Sequence, residues 1–236
     1  MEAFAWHTEN LNQNLRLREY LFTLFHVLLG SAPQEDQLTL ATSRTSIETL
    51  QHSFAHQGMS SEKIAKRLIF ELDTAKDHVD SIAQEYTRLF IGPGSLPVPP
   101  WESVFRSEDS VLFSQKTLEV RNAYRAAGFR PVLSPHIADD HIALEFGFIA
   151  ALSHQACNAY EDDDREGFDT ALNHTKNFMD QHMFRWIPSY TRKVTELGQF
   201  PFYSAVIAAS SRFLEIDRNA LEEISADKEL IESKTK

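Results

Sequence analysis

Residues 86–103 read Tyr-Thr-Arg-Leu-Phe-Ile-Gly-Pro-Gly-Ser-Leu-Pro-Val-Pro-Pro-Trp-Glu-Ser. Leading into them, Val79, Ile82, Tyr86, Leu89 and Phe90 recur every three or four positions, which predicts one apolar stripe of a helix over 77–91. Gly92, Pro93 and Gly94 end that helix, because proline lacks an amide donor and glycine favours turn conformations. Pro97, Pro99 and Pro100 then hold the chain extended, each fixing its own φ and biasing the residue before it away from α. The stretch therefore hands a helix to a stiff loop that presents Trp101, with Tyr86 and Phe90 placed to support it from beneath. A pre-ordered loop loses little entropy when a partner docks, so the segment reads as a peptide-recognition surface or as a well-packed connection between helices.

The helical period continues on both sides. Leu17, Leu21, Leu24 and Leu28 mark a helix stopped by Gly30, and Leu40, Ile47, Leu50 and Phe54 extend the pattern over 35–57 up to Gly58. Ser60 or Ser61 would cap the next helix, which carries Ile64, Leu68, Ile69 and Leu72. Downstream, Leu118, Val120 and Tyr124 predict a helix over 114–127 before Gly128, and Pro131 and Pro135 mark a connection. Residues 140–158 are apolar on most sides, as a central buried helix should be. Three more patterns span 168–182, 184–197 and 201–216, the last with Pro201 in its first turn. After Asp217 the chain is charged, which predicts a flexible, fraying tail. No β alternation, low-complexity tract or repeat interrupts this, so the expectation is an all-α single domain over 1–236, with about ten helices and a Gly/Pro hinge loop near 92–103.

The composition bounds the function. The chain has 236 residues, 42% of them hydrophobic, and 23 basic against 34 acidic residues give a net charge of −11. That balance disfavours nucleic-acid phosphate as a ligand and favours a basic partner. The first ten residues carry acids where a secretory signal would be basic, and the longest apolar runs are shorter than the ~20 residues needed to span a bilayer, so a cytoplasmic protein without membrane insertion is expected. The lone Cys157 sits among apolar residues and reads as a buried filler.

Asp139, Asp140 and His141, with Glu145 four residues on, form a second polar constellation. It reads as a metal or proton-exchange site, as a structural turn in which Asp139 or Asp140 caps the buried helix, or as an acceptor of positive charge from a bound peptide. His174 and His182 lie two turns apart, too far to share a metal easily, and read as surface or satisfied histidines. The acidic run 161–164 reads as a solvated turn or helix start. Gly92-Pro93-Gly94 lacks the lysine of a phosphate loop and ends a helix where such a loop begins one, and no nucleophile elbow occurs. Neither a catalytic residue nor a cofactor is expected.

Together, Tyr86-x-x-Leu89-Phe90-x-Gly92-Pro93-Gly94, Pro99-Pro100-Trp101-x-Ser103 and Asp139-Asp140-His141 resemble the TorD/DmsD family of molybdoenzyme chaperones. His182-Met183-Phe184-x-Trp186 and Gly198-Gln199-Phe200-Pro201-Phe202-Tyr203 extend the resemblance, which runs over roughly 80–214. It implies a non-enzymatic all-α protein that binds the twin-arginine leader of a molybdenum-cofactor oxidoreductase, holds the apoenzyme until cofactor insertion and prevents premature export. Carried over by position, Tyr86, Leu89, Phe90, Pro100, Trp101, Ser103, Asp140 and His141 would lie at the leader-binding region, with Asp139 and Asp140 meeting the arginines. Ile137-Ala138 stands where many members have Glu-Pro. The alternative from another class is a small metal-dependent enzyme centred on Asp139, Asp140, His141 and Glu145. A compact monomer and a dimer that exchanges elements at the Gly/Pro hinge are both compatible with the pattern.

Overall fold

In the computed structural model, described over residues 11–55, 57–106, 115–130 and 137–234, with side chains to Ile224, the chain is helical almost throughout. The helices are α1 (Leu11–Gly30), α2 (Glu35–Ala41), α3 (Arg44–Phe54), α4 (Met59–Ala75), α5 (Val79–Tyr86), α6 (Glu102–Arg106), α7 (Gln115–Ala126), α8 (Ile142–Glu161), α9 (Arg165–Gln181), α10 (Ile187–Leu197) and α11 (Pro201–Lys234). The expected all-α class is what forms. Residues 1–10 and the prolines 131 and 135 lie outside the described residues, so the readings made on them do too.

The long helices α1, α8 and α11 build the centre. Phe22 and Phe25 of α1 meet Phe146 of α8 and Phe213 of α11 at ring separations of 5.1–6.2 Å. Each such ring taken from water contributes about 1.5–3 kcal/mol. Helix α8 is the buried helix that its apolar sequence predicts, with Cys157 as a filler whose thiol burial pushes up to about 12. Helices α1 and α8 pass close together at Gly147, where a Cβ would stand 2.7 Å from the ring of His26. His26 Nδ1 lies 2.7 Å from the Ala143 carbonyl oxygen.

Several boundaries differ from the periodic reading, each for a local reason. The span 35–57 is two helices, because Ser43 leaves helical geometry and its hydroxyl accepts from the Ser46 amide at 3.2 Å to start α3. The break turns α2, so Leu38 is buried and Leu40 is 63% exposed. Helix α4 begins at Met59 behind Gly58, and Ser61 donates back to the Gln57 carbonyl oxygen, so neither Ser60 nor Ser61 is its cap. Helix α5 passes into a π turn over Thr87–Ile91 before Gly92, whose φ of 90° suits glycine alone. A 3₁₀ turn, Met183–Arg185, precedes α10. The acidic run is a helix start: Asp164 caps α9 through the Gly167 amide at 2.9 Å.

The expectation of a fraying tail directly after Asp217 is corrected over residues 217–224. Helix α11 runs on to Lys234, and Ala220, Leu221 and Ile224 are buried. Asp217 itself is fully buried against Arg18 of α1, so its charge marks an interior ion pair and not the start of a solvated tail.

Candidate functional site

The two motif blocks meet. Trp101 and His141 pair as an isolated antiparallel bridge, in which the Ile142 amide donates to the Pro100 carbonyl oxygen at 3.0 Å. The next residues reinforce it: the Glu102 amide donates to the Asp140 carbonyl oxygen at 3.0 Å, and the Ser103 amide to Asp140 Oδ2 at 2.8 Å. Asp140 therefore caps the short α6, while α8 is capped by His141, whose Nδ1 accepts the Ala143 amide at 3.2 Å. The expectation that Asp139 or Asp140 caps α8 is corrected by one residue. Burial, with His26 nearby, pushes His141 down to about 3, so the ring stays neutral and keeps the lone pair that the cap requires.

Aromatic packing ties the π turn to this bridge. Tyr86 stacks on Phe90 at 4.8 Å, Phe90 lies 6.1 Å from His141 and 5.2 Å from Tyr203, and Trp101 stands edge-on to His141 at 5.4 Å. Tyr86, Leu89, Phe90, Pro100, Ser103, Asp139, Asp140 and His141 are all buried, and Trp101 is half-buried. The ring contacts of Tyr86 and Phe90 are with each other, with Tyr203 and, for Phe90, with His141. The outer face of the loop is apolar and open: Ile91 is 65% exposed, and Pro93, Gly94 and Pro97 face solvent, with Pro99 half-buried.

Asp139 is already engaged, bonded to Arg121, while its carbonyl oxygen accepts from the Tyr124 hydroxyl at 2.9 Å. Asp140 Oδ1, Ser103 Oγ and Trp101 Nε1 are buried without a hydrogen-bond partner in the protein. Three residues joined by one bridge thus keep unsatisfied polar atoms, an arrangement that carries a desolvation cost unless a ligand group or water meets them.

A network that spacing did not reveal lies behind the bridge. Fully buried Glu102 bonds Arg106 through Oε1 and His182 Nδ1 through Oε2 at 2.9 Å, and Glu145 Oε2 accepts from Trp186 Nε1 at 3.0 Å. His182 is accordingly a satisfied histidine. Residues 80 and 41 positions apart leave no local pattern; Trp186 enters the sequence reading only through the family resemblance of His182-Met183-Phe184-x-Trp186. No group of three or more His, Cys, Asp or Glu among the described residues is arranged to hold a metal. With His141 spent on its cap and Asp139 on Arg121, the metal-enzyme alternative has no support in the geometry. Among the described residues no helix is long and apolar enough to cross a membrane.

Residues 33–192 match the family described as nitrate reductase delta subunit, and the chain belongs to that family. Relatives include the chaperone protein TorD of Vibrio cholerae serotype O1, 25% identical over 71% of this chain and 75% of that protein. The Tat proofreading chaperone DmsD of Salmonella typhimurium is 32% identical over 54% of this chain and 55% of its own. A crystal structure of a candidate redox enzyme maturation protein from Archaeoglobus fulgidus superposes with a TM-score of 0.50 at 25% identity, covering 84% of this chain and 93% of that one. The resemblance read from the motif blocks is thereby borne out.

Proposed function

We propose that the protein is a non-enzymatic, cytoplasmic maturation chaperone that binds the twin-arginine leader and apo form of a molybdenum-cofactor oxidoreductase, assists cofactor loading and delays export. The observation that carries this reading is that the family match runs through both motif blocks, which the fold joins at Trp101 and His141. A twin-arginine leader has a basic start and an apolar middle. The exposed Ile91, Pro93 and Pro97 with the edge of Trp101 suit the apolar part, and Asp140 Oδ1 suits a guanidinium.

Because Asp140 is buried, an arginine reaches it only after the loop lifts. Gly92 and Gly94, at φ of 90° and 94°, are the hinge that permits this, and Tyr86, Leu89, Phe90, Pro99, Pro100 and Ser103 form its seat. Asp139 keeps Arg121 and contributes charge from behind. The whole chain acts as one helical unit in this reading.

Calorimetric titration with a leader peptide from a molybdoenzyme of the host, beside the same peptide with both arginines changed to lysine, tests the proposal. Binding that weakens at least tenfold in the lysine peptide supports it, because a guanidinium fork matches carboxylate geometry and an ammonium does not. Absence of binding to every host leader overturns it.

A further inference from the structure

Helix α6 is five residues long and cannot hold itself, yet it sets the position of Trp101, which immediately precedes it. Its anchor is Glu102. That side chain is fully buried, takes Arg106 within its own helix and reaches His182 at the end of α9, while its amide is bonded to the Asp140 carbonyl oxygen. Three residues on, Phe105 packs on Trp186 and Tyr190 at 5.5 and 5.9 Å. From α8, fully buried Glu145 holds the Trp186 indole and leaves Oε1 without a partner. The two acids thus sit where α6, α8, the end of α9 and the start of α10 come together.

We propose that Glu102 and Glu145 are positioning residues for the leader site, a buried acid pair that keeps Trp101 and α6 in register with Asp140 and His141. This rests on the leader-binding reading above. Neither acid touches the leader; the pair acts through Trp101.

The surrounding charges support this. A like charge nearby makes a buried acid harder to ionise. Burial first, then the charge of Glu102, pushes the Glu145 carboxyl well above the ordinary carboxylate range, and Asp140 adds to that. Arg106 and His182 face Glu102, Arg121 faces Asp139, and Tyr124 of α7 closes the far side. Glu145 is therefore the member that favours its protonated form, while Glu102 is the member bonded to Arg106 and His182. Glu145→Gln mimics the protonated acid: its amide oxygen still accepts from Trp186 and its NH₂ group adds no charge.

The experiment uses the full chain and three readouts: leader affinity by calorimetry, the indole N–H resonances of Trp101 and Trp186, and melting temperature. The Trp186 resonance reports the bond to Glu145, and the Trp101 resonance reports whether it is transmitted. Expected are wild-type affinity and an unmoved Trp101 resonance in Glu145→Gln, and at least tenfold weaker binding with a displaced Trp101 resonance in Glu145→Ala. A Glu145→Ala variant that melts lower but keeps wild-type affinity and an unmoved Trp101 resonance overturns the proposal, as does a Glu145→Gln variant whose affinity falls as far as that of Glu145→Ala. Should wild type bind no leader, the functional reading fails; a Trp101 resonance displaced by Glu145→Ala then still supports the positioning role, and an unmoved one overturns it.

Discussion

Arg18 and Asp217, 199 positions apart, form an ion pair that neither shares with solvent: Arg18 Nε lies 2.7 Å from Oδ1 and 3.0 Å from Oδ2 of the aspartate. Arg18 Nη1 also donates to Ser153 Oγ at 2.5 Å, so one guanidinium binds α1 to α8 and α11. Its Nη2 has no partner, which leaves the pair incompletely satisfied.

Removing one member strands the other charge in the core. Asp217→Asn is expected to cost about 3–5 kcal/mol, measured by denaturant unfolding. The double change Arg18→Met with Asp217→Leu should cost less than Asp217→Asn alone, because desolvation of two ions offsets most of their attraction. A double variant less stable than the single one would sink this account.

Trp101 is half-buried and its indole N–H has no partner in the protein, so Trp101→Ala, which keeps the backbone bonds, should lower the melting temperature only slightly. Leader affinity should fall about 10- to 100-fold, the usual range for an aromatic anchor at a binding centre. Equal affinity in the two proteins would remove Trp101 from the site.

Asp140 separates charge from shape. Asp140→Asn can still accept the Ser103 amide through its carbonyl oxygen and should stay close to wild-type stability, whereas Asp140→Ala loses the cap and should cost about 1–2 kcal/mol. If a leader arginine meets this carboxylate, the asparagine variant binds more weakly and with less salt dependence. Titration at two ionic strengths reads both effects.

Much of this was legible in the sequence wherever the contact was local. The stripe Val79 to Phe90, the Gly/Pro stop and the apolar α8 all follow from periods of three or four residues, and the motif blocks pointed to Trp101, Asp140 and His141 before the bridge joined them. What spacing could not show was burial. Asp217 looks like the start of a charged tail until Arg18 is placed against it, and Asp139 looks available until Arg121 is. Leu40 and Leu38 fit a helical stripe equally well, and only the Ser43 break decides between them. Glu102 and Trp186 gave no local signal, because their partners lie far along the chain.

Gly147 of α8 leaves room for the His26 ring of α1. Gly147→Ala places a methyl group 2.7 Å from His26 Nδ1, and the ring can yield only by giving up the Ala143 carbonyl. The expected cost is about 1–3 kcal/mol by thermal unfolding. Adding His26→Ala to Gly147→Ala should recover part of that loss, since the clash and its relief involve the same ring.

Glu85 makes a pH-dependent contribution whose sign is fixed. Its Oε1 accepts the Tyr203 amide at 2.8 Å, and burial pushes the carboxyl up to about 7 from an ordinary 4.5, against the pull of that hydrogen bond. The folded state therefore holds the Glu85 proton more tightly than the unfolded chain does. Stability from this group is fully present below pH 4.5, falls as pH rises to about 7, and is constant above that. Glu85→Gln keeps the acceptor for Tyr203 and removes the titration. The difference in melting temperature, variant minus wild type, should then grow between pH 4.5 and 7 and level off beyond. A difference that stays flat across this window would show that Glu85 ionises in the folded protein as it does in the open chain.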